Sequence, residues 1–233
     1  MRPLRSPDPN DPLFENRSRT QEAVRESTKP RLFRWSDVRV GCLLTMNEAF
    51  SMRLAREDDI QTLEVLIPLS VRALQAPFYS SEQMEAALGP VFGVDRQLIR
   101  DGTYFIVEHA GQVVGCGGWS RRRAVFGGDS ARPAEDDALD QAQDPARIRA
   151  FFVHPDWARR GIGRLILSAC ESAICSAGFR EAVLVATLAG EPLYASFGYT
   201  VAERYEVPLS GGLTLPVVRM AKCFDRNDLL FEK

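Results

Sequence analysis

The segment that most constrains this chain begins with an apolar strand candidate, Ile148 to Val153. It continues through a basic, glycine-bearing loop, His154-Pro155-Asp156-Trp157-Ala158-Arg159-Arg160-Gly161-Ile162-Gly163-Arg164, into a helix and then a second apolar run, Glu181 to Thr187. Strand, helix and strand in that order demand a right-handed crossover and parallel pairing, which places the chain among α/β folds. The almost wholly apolar second run predicts a strand covered on both faces. The helix is expected over about Ile162 to Ala177, carried by Leu165, Leu167, Ala169, Ala173 and Ile174 and stopped by Gly178. The loop suits a phosphate group. The first N–H groups of a helix lack intrahelical partners and sit at the positive end of its dipole. Gly161 and Gly163 remove the Cβ atoms that would hold an anion away, while Arg159, Arg160 and Arg164 add charge.

Upstream, Arg53-Leu54-Ala55 reads as a short strand, followed by a helix with an acidic first turn (Glu57, Asp58, Asp59) and apolar residues Ile60, Leu63, Leu66 and Ile67 at helical spacing. Pro68 is expected to interrupt or end that helix. Ser80-Ser81-Glu82-Gln83 has capping-box spacing for a second helix that Gly89-Pro90 stops, and Asp95 to Arg100 suits a third, short one. Tyr104 to Val107 and Val113 to Trp119 flank the turn residues His109-Ala110-Gly111 and predict a β-hairpin. The glycines of its second strand, Gly115, Gly117 and Gly118, fit either a bulge or the close approach of a neighbour or ligand. Residues 121–147 carry Gly127-Gly128, Pro133, Pro145 and six acidic residues without periodicity. They read as a long loop, either a substrate-side lid or a solvated insertion.

The chain has 233 residues, 45% of them hydrophobic, enough for one well-packed domain. Residues 1–50 are rich in Arg, Pro, Ser, Asp and Glu and read as a disordered or weakly docked leader; 51–224 form the domain and 225–233 a tail. With 29 Lys and Arg against 31 Asp and Glu, no global basic field points to nucleic acid or an anionic membrane. No apolar run approaches the roughly 18 residues of a membrane span, so a cytoplasmic protein is expected. Cys42, Cys116, Cys170, Cys175 and Cys223 show neither zinc-ligand spacing nor an even disulfide count, so no metal is expected and the thiols read as reduced and mostly buried. A homodimer is left open.

The glycine loop is neither a Walker A, lacking Gly-Lys-Ser/Thr, nor a Rossmann fingerprint, lacking the G-x-G-x-x-G order. Its frame, Ala158-Arg159-Arg160-Gly161-Ile162-Gly163 after Val153-His154-Pro155, resembles the cofactor loop of the GNAT superfamily of N-acetyltransferases, with Ala158 where the family usually has a polar residue. A second block matches: Tyr194-Ala195-Ser196-Phe197-Gly198-Tyr199 ends as the family does, while Thr187 and Gly190 depart from its Asn and Ala. The resemblance implies a mostly antiparallel mixed sheet with a splayed parallel pair and flanking helices, closed by strands near Thr200 to Val207 and Val217 to Lys222.

It further implies an acetyl-CoA-dependent transferase that moves the acetyl group directly to a primary amine, a small molecule first and a protein lysine or N-terminus second. A non-catalytic acyl-CoA sensor or scaffold is the competing class. Backbone groups near Phe151, Phe152 and Val153 would hold the pantetheine arm and polarise the thioester carbonyl. The pyrophosphate would lie on the N–H groups around Arg160, Gly161, Ile162, Gly163 and Arg164, with Arg159 beside them. Tyr194 is the matched general acid. The strand that often carries the family's glutamate has Arg147 and Arg149 here, so the base is left open among water, Glu108, His109 and an acidic residue of the long loop. Arg149, sharing strand parity with Phe151 and Val153, and Trp119 are the acceptor-side candidates; a structural ion pair is the other reading of Arg149, and packing that of Trp119. His154 reads as a turn residue.

Overall fold

The computed structural model describes residues 50–124 and 137–224. The leader, most of the acidic centre of the long loop (Asp129, Glu135 and Asp136 with it) and the tail lie outside the described residues. The elements in chain order are β1 (Ser51–Leu54), a 3-10 turn (Glu57–Asp59), α1 (Ile60–Leu74), α2 (Ser81–Ala87), α3 (Arg96–Arg100), β2 (Tyr104–His109), β3 (Gln112–Ser120), β4 (Ala146–Val153), a second 3-10 turn (Pro155–Trp157), α4 (Ile162–Ser176), β5 (Glu181–Thr187), α5 (Glu191–Ala195), β6 (Thr200–Pro208) and β7 (Thr214–Cys223), with a further 3-10 turn (Ser210–Gly212) between the last two strands. Seven strands form one sheet in the order β1-β2-β3-β4-β5-β7-β6. All neighbours are antiparallel except β4 and β5. That parallel pair is the one the strand–helix–strand order requires, and the mixed α/β sheet matches the expected fold class. No helix among the described residues is long and apolar enough to cross a membrane.

The sheet separates two apolar cores. On one side Ile162, Ile166, Leu167, Cys170 and Ile174 of α4 meet Phe105, Val107, Val114, Trp119, Ile148 and Leu184. On the other, Leu63, Leu66, Ile67 and Val71 of α1 and Leu98 and Ile99 of α3 meet Tyr104, Ile106, Cys116, Phe152 and Val217. The glycines of β3 explain how closely α4 docks. A Cβ on Gly115 would lie 2.5 Å from Ile162 Cγ2, and one on Gly117 would lie 2.6 Å from the Phe151 ring and 2.8 Å from Ile166. A packed neighbour occupies the space that the missing side chains leave.

Three local expectations are corrected. Helix α1 runs through Pro68. Proline removes only the donor to the Glu64 carbonyl, which sits on the solvent side, while Leu63, Leu66, Ile67, Ser70 and Val71 are buried on both sides of it and hold the helix together. The hairpin turn is two residues, Ala110 and Gly111, at φ 48° and 80°, with His109 paired to Gln112 as the last rung. Positive φ at both central positions matches the twist of the flanking strands. The long loop ends two residues early: β4 starts at Ala146, where Ala146, Arg147 and Ile148 pair with Ala182, Val183 and Leu184. The loop's described ends are tied together by an Arg122–Ala138 bridge and by Leu139 N donating to Arg121 O at 2.7 Å.

The irregularity of β4 positions everything that follows. From Gly118↔Arg149 to Cys116↔Phe152 the register advances two residues on β3 and three on β4, so β4 carries one extra residue. Ala150 absorbs it at φ 61°, a left-handed conformation that an alanine adopts only at a cost. The bulge is pinned from beneath by buried polar groups. Tyr104 donates its hydroxyl to the Ala150 carbonyl at 3.1 Å and lies 3.2 Å from Cys116 Sγ, and burial pushes that thiol up to about 12. Arg149 pairs with Asp95 at 3.0 Å and donates to Ala124 O at 2.7 Å. Asp95 in turn caps α3 by accepting from Leu98 N at 3.2 Å.

With side chains 3% and 0% exposed, the Arg149–Asp95 pair is most costly when half of it is removed, because the survivor stays charged in an apolar setting. Arg149→Met is therefore expected to lower the unfolding free energy by about 3–5 kcal/mol, read as a lower urea midpoint at unchanged slope. A change within about 0.5 kcal/mol would remove the pair from this role.

Candidate active site

The site forms where β4 and β5 part. Their pairing covers only Ala146–Ile148 with Ala182–Leu184, although β4 continues to Val153 and β5 to Thr187. Beyond the bulge, β4 leaves backbone groups facing the gap. His154 N bonds back to Val114 O of β3 at 2.9 Å, so the preceding N–H, that of Val153, points the other way. Ser70 Oγ of α1 receives it at 3.2 Å. By the same alternation the Phe151 N–H shares the gap side. A cavity of about 720 Å³ occupies the splay, within the range of small-molecule sites.

The glycine loop forms one end of this cavity. His154 is a turn residue, its Nδ1 accepting from Asp156 N at 3.3 Å. Arg159 at φ 63° and Gly161 at φ 89° then bend the chain so that α4 starts immediately after Gly161. Successive N–H groups in this conformation form a concave anion nest at the positive end of a 15-residue helix. A side chain on Gly161 would meet nothing within 4 Å, so open space lies over that position, whereas one on Gly163 would come within 3.0 Å of Leu193. Arg159, Gly161, Ile162, Gly163 and Arg164 all line the cavity. Arg160 contributes backbone to the loop, but its guanidinium stacks 4.7 Å from the Trp157 ring centre. The loop as a whole fits a diphosphate.

Tyr194 lies on α5, which Glu191 and Pro192 open just after β5. Its ring packs edge-on against Phe151 at 6.0 Å and Tyr199 at 6.1 Å, and it lines the same cavity as the bulge and the loop. Burial, with Cys170 nearby, pushes its hydroxyl well above the ordinary tyrosine value. A hydroxyl so placed stays protonated. Thr187 takes a structural part, its Oγ1 accepting from Gly190 N at 3.2 Å.

The structure thus brings together Tyr194, Phe151, Phe152, Val153 and the loop. Of the acceptor-side candidates, Arg149 reaches the cavity wall with its guanidinium already committed elsewhere, and Trp119 does not reach it. The bulge breaks strand parity, so Arg149 faces α3 while Phe151 and Val153 face α4, and its guanidinium is held by Asp95 and Ala124. Trp119 is 4% exposed in the core under α4, edge-on to Phe179, and is not part of the cavity wall. Of the candidate bases, Glu108 binds Arg53 at 2.7 Å and His109 stacks 4.3 Å from Trp157. Asp140 and Asp144 of the loop cap their own turn.

Residues that the sequence reading left unassigned line the opposite end. Ser70, Gln75, Phe78, Val91 and Phe92 come from α1 and the segments after it, and Val207 and Val217 from β6 and β7. Tyr79 fastens this end, accepting from Leu188 N at 2.9 Å and donating to Pro216 O at 2.7 Å. Ser70 left one signal: it sits in register with the apolar stripe Leu63, Leu66 and Ile67 of α1, where a hydroxyl needs a polar partner.

Comparison with known proteins agrees with this geometry. The family described as "Acetyltransferase (GNAT) domain" matches residues 100–201. Similar solved structures include a GCN5-related N-acetyltransferase from Rhodopseudomonas palustris, 22% identical, TM-score 0.57, covering 79% of this chain and 100% of that one. The PaiA N-acetyltransferase from Thermoplasma acidophilum, solved with coenzyme A, is 14% identical with TM-score 0.51, covering 76% and 99%. YncA from Salmonella typhimurium, a putative acetyltransferase solved with acetyl-CoA, is 16% identical with TM-score 0.51, covering 76% and 95%. The curated proteins yield no match. Residues 100–201 thus match the GNAT acetyltransferase domain, and the sheet order with its splayed parallel pair gives the chain the fold of these solved acetyltransferases.

Proposed function

We propose that this protein is an acetyl-CoA-dependent N-acetyltransferase acting on a primary amine of a small molecule. The observation that carries this reading is the convergence of three parts on one cavity: a diphosphate nest at α4, a bulged strand that turns the Phe151 N–H toward the splay, and a buried, protonated tyrosine. The nest and its arginines suit the pyrophosphate of the donor, and the splay suits an extended pantetheine arm bonding to β4 as a strand would. The Phe151 N–H is the candidate donor to the thioester oxygen, where negative charge develops as the amine adds.

The amine nitrogen attacks the carbonyl carbon, the carbon–sulfur bond breaks, and the acetyl group ends on nitrogen. Tyr194 gives its proton to the departing sulfur, and the surplus proton of the new amide nitrogen leaves to solvent, from which Tyr194 is recharged. No covalent enzyme intermediate is required. A small acceptor is favoured because the far end of the cavity is walled on several sides by α1, β6 and β7. The sensor reading retains the same donor site without transfer.

Tyr194→Phe is expected to lower kcat about 10²-fold with acetyl-CoA affinity nearly unchanged. Because burial raises the tyrosine's value in the folded state, its acid form persists, and wild-type activity should hold rather than fall as pH rises through the ordinary tyrosine range near 10. An unchanged kcat in the variant would remove Tyr194 from the role. Gly163→Glu, which sets a carboxylate at the nest and crowds Leu193, should abolish acetyl-CoA binding by calorimetry while the circular dichroism of the fold is kept. Binding of acetyl-CoA without thiol release for any amine would favour the sensor.

A further inference from the structure

We infer that the acceptor is an apolar primary amine that enters the cavity uncharged, a class for which weakly basic aromatic amines are the best representatives. The inference rests on the transferase reading above and concerns the end of the cavity away from the glycine loop. That end is formed by Leu74, Phe78, Val91, Phe92, Val207 and Val217. These side chains offer area to an apolar body and nothing to a hydrated one. Phe92 is fixed edge-on against Phe152 at 6.3 Å, so this wall is pre-formed and presents an aromatic edge.

Charge points the same way. Among the described residues lining the cavity, the ionised groups are Arg149, Arg159 and Arg164, all cations. Arg149 is compensated by Asp95, and the other two belong to the phosphate end. An ammonium entering between apolar walls would lose its hydration and meet no anion among these lining residues, and both effects favour the neutral amine. A neutral amine is also the form that attacks a thioester. A site of this kind selects the reactive protonation state on entry, and the proton is shed to water before binding.

One polar group at this end is suited to receive such an amine. Gln75 caps the carboxyl end of α1 and lines the cavity, and its Oε1 atom is buried with no hydrogen-bond partner among the described residues. A carbonyl oxygen can only accept, and leaving it unpaired costs free energy. The last torsion of a glutamine is broad, and an amine N–H in the cavity that Gln75 lines is the partner this oxygen lacks. The nitrogen lone pair then remains available for the thioester carbon.

The test uses the full chain, acetyl-CoA and thiol release with three amines: para-propylaniline, para-propylbenzylamine and para-aminobenzoate. The propylaniline should show kcat/KM flat between about pH 6.5 and 8.5. The propylbenzylamine, protonated in that range, should rise about tenfold per pH unit toward its own pKa. The aminobenzoate, an aromatic amine with a carboxylate in place of the apolar tail, should be poorer than the propylaniline by at least about tenfold. Gln75→Leu should raise KM for the propylaniline several-fold, and Gln75→Glu, which supplies an anion, should improve the propylbenzylamine relative to the propylaniline. A benzylamine profile that levels well below the amine's own pKa would overturn the inference by revealing an enzyme base, as would preference for the aminobenzoate. Thermal stabilisation by coenzyme A without turnover of any of the three would overturn this inference, and thiol release with a hydrophilic alkylamine in the same assay would show that the transferase reading stands without it.

Discussion

A single extra residue in β4 is the constraint on which the rest of this molecule depends. Two strands of a sheet normally satisfy each other's backbone groups, and an unsatisfied N–H in a protein interior is expensive. Here Ala150, at φ 61°, shifts the register against β3 and coincides with the end of pairing to β5. The free groups that result are what a strand-like ligand needs. Such a conformation persists only where its surroundings over-determine it. Tyr104 beneath the Ala150 carbonyl and the Asp95–Arg149–Ala124 chain supply that, and both are buried. The same network reaches α3 through the Asp95 cap and the long loop through Ala124, so elements remote from the cavity hold the strand that lines it.

The parts that were legible in the sequence are those governed by local periodicity. The span of β5, the start of α4, the capped α2 with its Ser80 box and the short α3 all follow from spacing and end residues. The glycine loop was legible for the same reason, since Gly161 and Gly163 act through their own backbone, and Tyr194 entered through a resemblance confined to a few adjacent positions. The bulge was not. Strand alternation put Arg149 on the side of Phe151, and nothing in Arg149-Ala150-Phe151 marks Ala150 for a left-handed conformation. The cause lies 46 residues away, in Tyr104. Trp119 shows the same limit from the other direction. It is a large side chain on a glycine-rich strand near the site, yet its face is set by the docking of α4, and it belongs to the core.

The ends of the cavity proposed for donor and acceptor differ in how they are built, and this explains why only one of them is legible in the sequence. The donor end consists of backbone atoms of consecutive residues, 151–153 and 159–164, so its chemistry is written in one stretch of chain. The acceptor end is assembled from α1, the segments after it, β6 and β7, with Gln75 and Val217 separated by most of the domain. No spacing rule connects them. Tyr79 makes the assembly possible, because its hydroxyl joins Leu188 to Pro216 and so ties the α1 side to the ends of β5 and β7.

The absence of a carboxylate on β4 takes on a different meaning once the far end is known. Arg147 and Arg149 stand where a proton acceptor would be useful to an amine that binds charged. Binding a charged amine would require the site to desolvate an ammonium and then remove its proton, two costs met by one anion. A chamber walled by Phe78, Phe92, Val207 and Val217 avoids both if the amine leaves its proton in water before entry. The arginine at 149 is then free to serve the strand instead of the substrate, and its pairing with Asp95 stabilises the bulge that presents the Phe151 N–H. On this view the missing base and the buried ion pair are one feature: β4 spends its charged residue on geometry, and the acceptor's own acidity does what a glutamate would otherwise do.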